Sequence, residues 1–178
     1  MSGWRPGDRR FDRASMLRVN QAGEYGATRI YAGQLAVLRR NSSASKLIAR
    51  MDGQEQRHLA RFNALMAERR VRPTVLQPVW NIAGFALGAA TALLSEQAAM
   101  ACTDAVETEI DRHYGHQLDE LGDDDPEFAA DITEFRAEEL EHRDAARTAG
   151  AAQAFGYPVL TATIRAACRV AIGLSKRI

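Results

Sequence analysis

The feature that most constrains this chain is a spacing that occurs twice, Glu55-x-x-His58 and Glu139-x-x-His142, each one helical segment downstream of a lone glutamate, Glu24 and Glu107. Glu24 to Glu55 is 31 positions and Glu107 to Glu139 is 32, so the two halves repeat one plan with an offset of 83 or 84 residues. A fold that honours both copies has a pseudo-twofold axis. Residues three apart on an α-helix are separated by about 300° of turn and share a face, so each Glu and His of a pair can reach a common point.

Those faces are otherwise apolar. The stripe through the second helical segment runs Ile48, Met51, Glu55, His58, Phe62, Leu65, and the later one runs Phe128, Ile132, Phe135, Glu139, His142, Ala146. Glu24 falls between Leu17, Ala27, Tyr31 and Leu38, and Glu107 between Met100, Thr103, Ile110 and Tyr114. Four helices thus aim a carboxylate into their own core face. Burying ionised carboxylates is costly and clustering them adds repulsion, so the core must supply positive charge or keep the groups protonated. Two divalent cations would balance four carboxylates. One Glu from each of two helices plus Glu-x-x-His from each of two others is the ligand plan of ferritin-like di-iron bundles. With 12 glutamates and 4 histidines the spacing alone is weak evidence. The paired upstream glutamates and the placement of all six residues on apolar stripes carry the argument.

The expected fold is therefore all-α: a ferritin-like four-helix bundle with a long apolar crossover and an extra C-terminal helix, in one domain over 1–178. Helices are expected near 15–40, 43–70, 96–121, 126–149 and 159–176, after a flexible segment at 1–14. Ser42 or Ser43 can cap the second helix; Asp125 can cap the helix that Pro126 opens. Cys102 and Cys168 have no CxxC partner and read as small buried apolar residues in a reducing compartment. Formal net charge is +0, and with no aromatic-basic stacking pattern this argues against a nucleic-acid partner. No apolar h-region marks a secretory signal.

No charged residue occurs from Pro73 through Ser95. A helix of about 17 residues from Val79 would span roughly 25 Å, short of the roughly 30 Å hydrocarbon core of a bilayer. Trp80, Gly84 and Gly88 suit a segment that lies in the membrane interface or packs closely on another helix. Burial within a soluble bundle is the alternative. After Asp144 the chain has no acid, and Arg147, Arg165, Arg169, Lys176 and Arg177 stand among apolar residues. The 159–176 segment reads as a basic amphipathic helix suited to anionic lipid, or as a bundle helix with a solvated basic face.

The strings Arg18-Val-Asn-Gln-Ala-Gly-Glu-Tyr-Gly-Ala, Arg29-Ile-Tyr-Ala-Gly-Gln, Val71-Arg-Pro-Thr-Val-Leu, Trp80-Asn, Gly84-Phe-Ala-Leu-Gly, Ala99-Met-Ala-Cys-Thr and Glu138-Glu-Leu-Glu-His closely resemble the demethoxyubiquinone hydroxylase family of ubiquinone biosynthesis. The resemblance runs from about Met16 to the C-terminus. It implies a non-haem di-iron monooxygenase that hydroxylates a polyprenylated methoxy-benzoquinol, with two Fe ions and O2 as co-substrate. It implies Glu24, Glu55, His58, Glu107, Glu139 and His142 as iron ligands, and His113 and Tyr114 as a His-Tyr pair close to the irons. Peripheral attachment to membrane lipid is implied too. The absence of a long mitochondrial presequence points to the cytoplasmic face of a bacterial inner membrane, the matrix face being the eukaryotic equivalent. No Gly-x-Gly-x-x-Gly nucleotide site is present, so electrons come from outside, and the family allows NADH with the quinone itself as mediator. A lipid-binding protein that delivers the quinone is expected by analogy, and a homo-oligomer is left open.

Tyr114 and Tyr31 each lie seven residues after a lone glutamate and can hydrogen-bond a ligand carboxylate, although Tyr31 fits a plain core role equally well. His113 reads as a group beside the site, and His116 as solvated. Glu138 and Glu141, flanking the second motif, are expected to pair with surface arginines. Iron storage, quinol oxidation with O2 reduced to water, and a structural scaffold are the competing functions.

Overall fold

The computed structural model describes residues 9–176, with side chains from Arg13 onward. Among the described residues there are six α-helices, one short 3-10 turn and no strand. They are α1 (Arg9–Val37), α2 (Ser43–Arg69), α3 (Gln77–Leu94), α4 (Glu96–Leu121), α5 (Pro126–Thr148), the 3-10 turn Ala151–Gln153 and α6 (Tyr157–Ser175).

The helix ends follow local chemistry. Ser42 Oγ accepts from the Ser45 N–H, and Ser95 Oγ from the Ala98 N–H. Asp125 accepts from the Phe128 N–H, with Pro126 in the first turn of α5. Each cap satisfies a backbone donor that the first turn leaves free. The segment 1–14 expected to be flexible divides: 1–8 lie outside the described residues, whereas 9–14 belong to α1. Arg13 Nη1 donates to Asp124 O at 3.0 Å and Ser15 Oγ to Lys176 O at 2.9 Å, which docks the start of α1 on the α4–α5 turn and the end of α6.

Helices α1 with α2, and α4 with α5, form two antiparallel pairs that face each other. The pairing is fixed by contacts such as Gln34 Nε2 to Ala99 O (3.0 Å) near one end and Gln117 Nε2 to Met16 O (3.5 Å) near the other. The stripes read from the sequence form the interior: Ile48, Met51, Phe62 and Leu65 of α2, and Phe128 and Ile132 of α5, are fully buried. Two apolar clusters fill opposite ends of the bundle, one around Ile48, Met51 and Met100, the other around Phe62, Leu65, Phe128 and Phe135. The six ionisable residues lie between them.

The crossover is a helix, α3, laid along α1. Gly84 and Gly88 face α1, and Gly33 faces α3, where backbones approach so closely that a Cβ on Gly88 would stand 2.8 Å from the Ile30 carbonyl carbon. Small residues at such a crossing let two backbones meet. The far side of α3 is open: Val79, Ile82, Leu93 and Leu94 are exposed. The alternative of a fully buried helix therefore does not hold. α6 lies along α4, and its arginines differ from the sequence expectation. Arg165 Nε and Arg169 Nη1 both donate to Glu109 Oε1, at 2.7 and 2.8 Å, and Glu109 is 2% exposed. Their half-exposed side chains reach back to a carboxylate 56 and 60 residues earlier in the chain, and Val159, Val170 and Leu174 stand outward. No helix among the described residues is long and apolar enough to cross a membrane.

Candidate metal centre

Glu24, Glu55, His58, Glu107, Glu139 and His142 all meet at the bundle centre, each no more than 1% exposed. Their donor atoms form two overlapping groups, Glu24, Glu55, His58, Glu139 and Glu55, Glu107, Glu139, His142, within each of which every donor lies within 4.8 Å of the others. Glu55 and Glu139 belong to both groups, and the two Glu-x-x-His helices therefore bridge the pseudo-twofold axis. His58 Nδ1 lies 3.4 Å from Glu24 Oε2 and 3.2 Å from Glu139 Oε1, and His142 Nδ1 lies 3.1 Å from Glu55 Oε1.

Burial and mutual repulsion push the Glu55 carboxyl well above its ordinary range, and burial with the neighbouring Glu139 does the same to Glu107. Glu139 is raised by burial. Burial would raise Glu24 as well, but the adjoining His58 and Glu55 leave it lowered. Burial opposes protonation of His58, yet the nearby Glu139 and Glu24 carboxylates push it up to about 10, whereas burial dominates at His142 and lowers it. Without added cations the cluster holds its charge only by keeping protons among its members.

Whether a metal fits is answered by the unpaired atoms. Glu24 Oε2, both oxygens of Glu55, His58 Nδ1, Glu107 Oε2 and Glu139 Oε1 are buried with no hydrogen-bond partner. Unsatisfied buried polar atoms are rare, each costs about 1–3 kcal/mol, and six converging on one point fit cations. The donors are carboxylate oxygens and imidazole nitrogens without a thiolate, a set that suits divalent iron or manganese and not a sulfur cluster.

Several supporting residues escape a reading by stripes. His58 Nε2 lies 3.0 Å from Glu138 Oε2, and the ring stacks on Phe135 with centroids 4.1 Å apart. His142 Nε2 lies 3.2 Å from Gln54 Oε1. With Nε2–H donated outward, both Nδ1 lone pairs point at the carboxylates. Glu138 does bond Arg57 as expected, but it also holds a histidine of the cluster, which the sequence reading did not foresee. A signal existed: Gln54 and Glu138 each precede a motif glutamate and are 84 positions apart, the offset of the repeat.

The tyrosines reach across the bundle rather than along their own helices. Tyr31 donates to Glu107 Oε1 and Tyr114 to Glu24 Oε1, so Tyr31 has more than a core role. His113 stays off the cluster: its Nε2 is 3.2 Å from Asn20 Oδ1 and 2.9 Å from Gln117 Nε2, and burial lowers its pKa to about 4. His116 is exposed as expected.

An apolar cavity of about 180 Å³ lies between α1, α3, α4 and α6. Its walls include Gly23 and Ala27 of α1, Val106 and Ile110 of α4, Gly84 of α3 and Cys168 of α6. Gly23 and Val106 each precede a lone glutamate. Ala27 and Ile110 stand three residues after Glu24 and Glu107, at the position where α2 and α5 carry histidine.

A helical bundle whose buried centre gathers four carboxylates and two imidazoles from four helices is a ferritin-like metal-binding carboxylate protein. The family model described as ubiquinone biosynthesis protein COQ7 matches residues 12–175. The chain belongs to that family. It is 56% identical over 162 residues to the 3-demethoxyubiquinol 3-hydroxylase of Rhodospirillum rubrum, covering 91% of this chain and 76% of that protein. It is 53% identical over 167 residues to the human NADPH-dependent 3-demethoxyubiquinone 3-hydroxylase, mitochondrial, covering 92% and 76%. The 5-demethoxyubiquinone hydroxylase of yeast mitochondria is 42% identical over 179 residues, covering 92% and 77%.

Proposed function

We propose that this chain is a di-iron monooxygenase that hydroxylates the ring of polyprenylated demethoxyubiquinol in ubiquinone biosynthesis. The observation that carries the reading is the unsatisfied carboxylate–imidazole cluster, on two of whose helices, α1 and α4, the residues preceding Glu24 and Glu107 wall an apolar cavity. Glu24, Glu55, His58 and Glu139 would hold one iron ion, and Glu55, Glu107, Glu139 and His142 the other. When bound, the iron pair supplies activation of O2, one oxygen atom replacing a ring hydrogen as hydroxyl and the other leaving as water with two electrons and two protons from outside.

The protein's own groups set the conditions. Ala27 and Ile110, at the positions where α2 and α5 carry histidine, give the cavity apolar walls that suit an apolar substrate. The cavity walls exclude water from the reacting ring. Tyr31 and Tyr114 fix the Glu107 and Glu24 carboxylates by donating to them. His113, kept neutral by burial, ties α4 to Asn20 of α1 without adding charge beside the cluster. The outward apolar faces of α3 and α6, which flank the cavity, rest on a membrane surface, the cytoplasmic face of a bacterial inner membrane or its mitochondrial equivalent. A polyprenyl tail then stays in lipid while the ring enters between the two helices.

The test is turnover of a demethoxyubiquinol by iron-loaded protein under O2, with the product read by mass spectrometry. NADH and NADPH are each supplied as reductant, because the human relative's name specifies NADPH. One added ring hydroxyl is expected, lost in Glu55→Ala and Glu139→Ala. Dehydrogenation alone would make the protein a quinol oxidase, and iron uptake with an unchanged quinol would make it a storage protein.

A further inference from the structure

The two histidines of the cluster are held from outside by one continuous chain of hydrogen bonds. His142 Nε2 meets Gln54 Oε1 at 3.2 Å, Gln54 Nε2 donates to Glu138 Oε2 at 3.0 Å, and the same Glu138 oxygen lies 3.0 Å from His58 Nε2. Arg57 Nη2 closes the chain at 3.0 Å from Glu138 Oε2. The pseudo-twofold plan places equivalent residues at 54 and 138, yet one is an amide and the other a carboxylate.

We infer that this chain makes the two metal positions unequal, with Glu138 as the positioning residue that strengthens the His58 position and Gln54 as its weaker counterpart at His142. The inference rests on the two-ion reading given above. A carboxylate that accepts from a ligating imidazole fixes the ring and raises the basicity of the nitrogen facing the metal, and such partners govern metal affinity by about 10–100-fold. An amide oxygen fixes the ring without adding negative charge. The inequality cannot be relieved by placing glutamate at both positions, because two carboxylates would then face each other across the 3.0 Å contact that Gln54 Nε2 now makes. Arg57 does not cancel the effect of Glu138, since its side chain is 57% exposed and its charge is screened by water. The position built on Glu24, Glu55, His58 and Glu139 fills first, and the Glu107 and His142 position follows.

The experiment is anaerobic titration of the metal-depleted full chain with Co2+, followed by its ligand-field absorption bands against a competing chelator. Far-UV circular dichroism verifies that each variant is folded. The natural chain should bind two ions in two steps. Glu138→Gln should weaken the tighter step by about 10–100-fold and leave the other nearly unchanged, so that the two merge. Gln54→Leu should weaken only the second step, which carries the inference if Glu138→Gln does not fold. Two ions bound with one shared affinity, or either variant weakening both steps alike or neither, would overturn the inference. Fewer than two ions in the natural chain would overturn the two-ion reading, and this with it.

Discussion

Substituting the glycine at the α1–α3 crossing isolates how firmly the crossover is fixed to the bundle. A methyl on Gly88 would lie 2.8 Å from the Ile30 carbonyl carbon, 3.1 Å from Gln34 N, and closer still to Ile30 O. Ordinary contact begins at 3.4 Å, so the backbones must separate by more than 0.6 Å, the difference between 3.4 and 2.8. The obstacle is backbone on both sides, which cannot rotate away, and this places Gly88→Ala near the upper end of the about 1–3 kcal/mol typical of overpacking. Better helix propensity returns about 1 kcal/mol, leaving a net cost of about 2 kcal/mol. For a chain of this size that is a fall in Tm of roughly 4–8 °C. Gly53→Ala is the control: it lies within α2 with nothing within 4 Å of the added carbon, and should raise Tm by about 2–4 °C. Both are read by calorimetry of the metal-loaded protein in one buffer. If Gly88→Ala gains stability as Gly53→Ala does, α3 is not packed on α1 at this distance, and a cavity walled by Gly84 has no support.

Removing metal should lower Tm increasingly as pH rises from about 5 to about 8. Glu55, Glu107 and Glu139 are raised, so the metal-free fold loses stability above the ordinary carboxylate value of 4.5, and the contribution of His58, full below 6.5, is lost as pH rises towards about 10. The lowered Glu24 and His142 act in the opposite sense but are fewer, and a difference between loaded and metal-free melting curves that narrows with pH would refute the sign. Glu109→Ala should cost about 1–3 kcal/mol, because it removes the acceptor of both Arg165 and Arg169 and loosens α6 on α4; an unchanged denaturant midpoint would show that the pair contributes nothing. The double substitution Ile82→Asp with Leu94→Asp should weaken flotation with anionic vesicles by about 100-fold, from roughly 1.5 kcal/mol of lost apolar contact at each site, and leave Tm within about 1 °C because both side chains are exposed.

What the sequence made legible was whatever periodicity can encode. The stripe Ile48, Met51, Glu55, His58, Phe62, Leu65 is buried as a unit, and so is its counterpart on α5, because one face of a long helix has one environment. Contacts between faces were not legible. The pairing of Arg165 and Arg169 with Glu109 depends on how α6 is laid on α4, and a run of basic residues among apolar ones looks the same whether its charges meet lipid, water or a buried carboxylate. The spacing of Tyr31 and Tyr114 places them on the ligand face but does not name which carboxylate each meets, because antiparallel packing of α1 on α4 delivers each hydroxyl to the opposite glutamate. The early start of α1 depends on Asp124 and Lys176, both more than 100 residues away.

The division of labour among the four helices explains why the repeat is incomplete. A bundle that carried Glu-x-x-His on all four helices would surround its centre with imidazole and leave no side for a substrate. Here the cluster histidines are confined to α2 and α5, which hold each other through Gln54 and Glu138. On α1 and α4 the corresponding positions are Ala27 and Ile110, which line the cavity together with Gly23, Gly26, Val106 and the buried Glu109. The small residues that let α1 approach α3 lie on the same helix that supplies Glu24, so the wall of the cavity and one edge of the metal cluster are parts of one rigid element. The cavity wall and the Glu24 edge of the cluster therefore move together, and a change that shifts α1 by a few tenths of an ångström alters both.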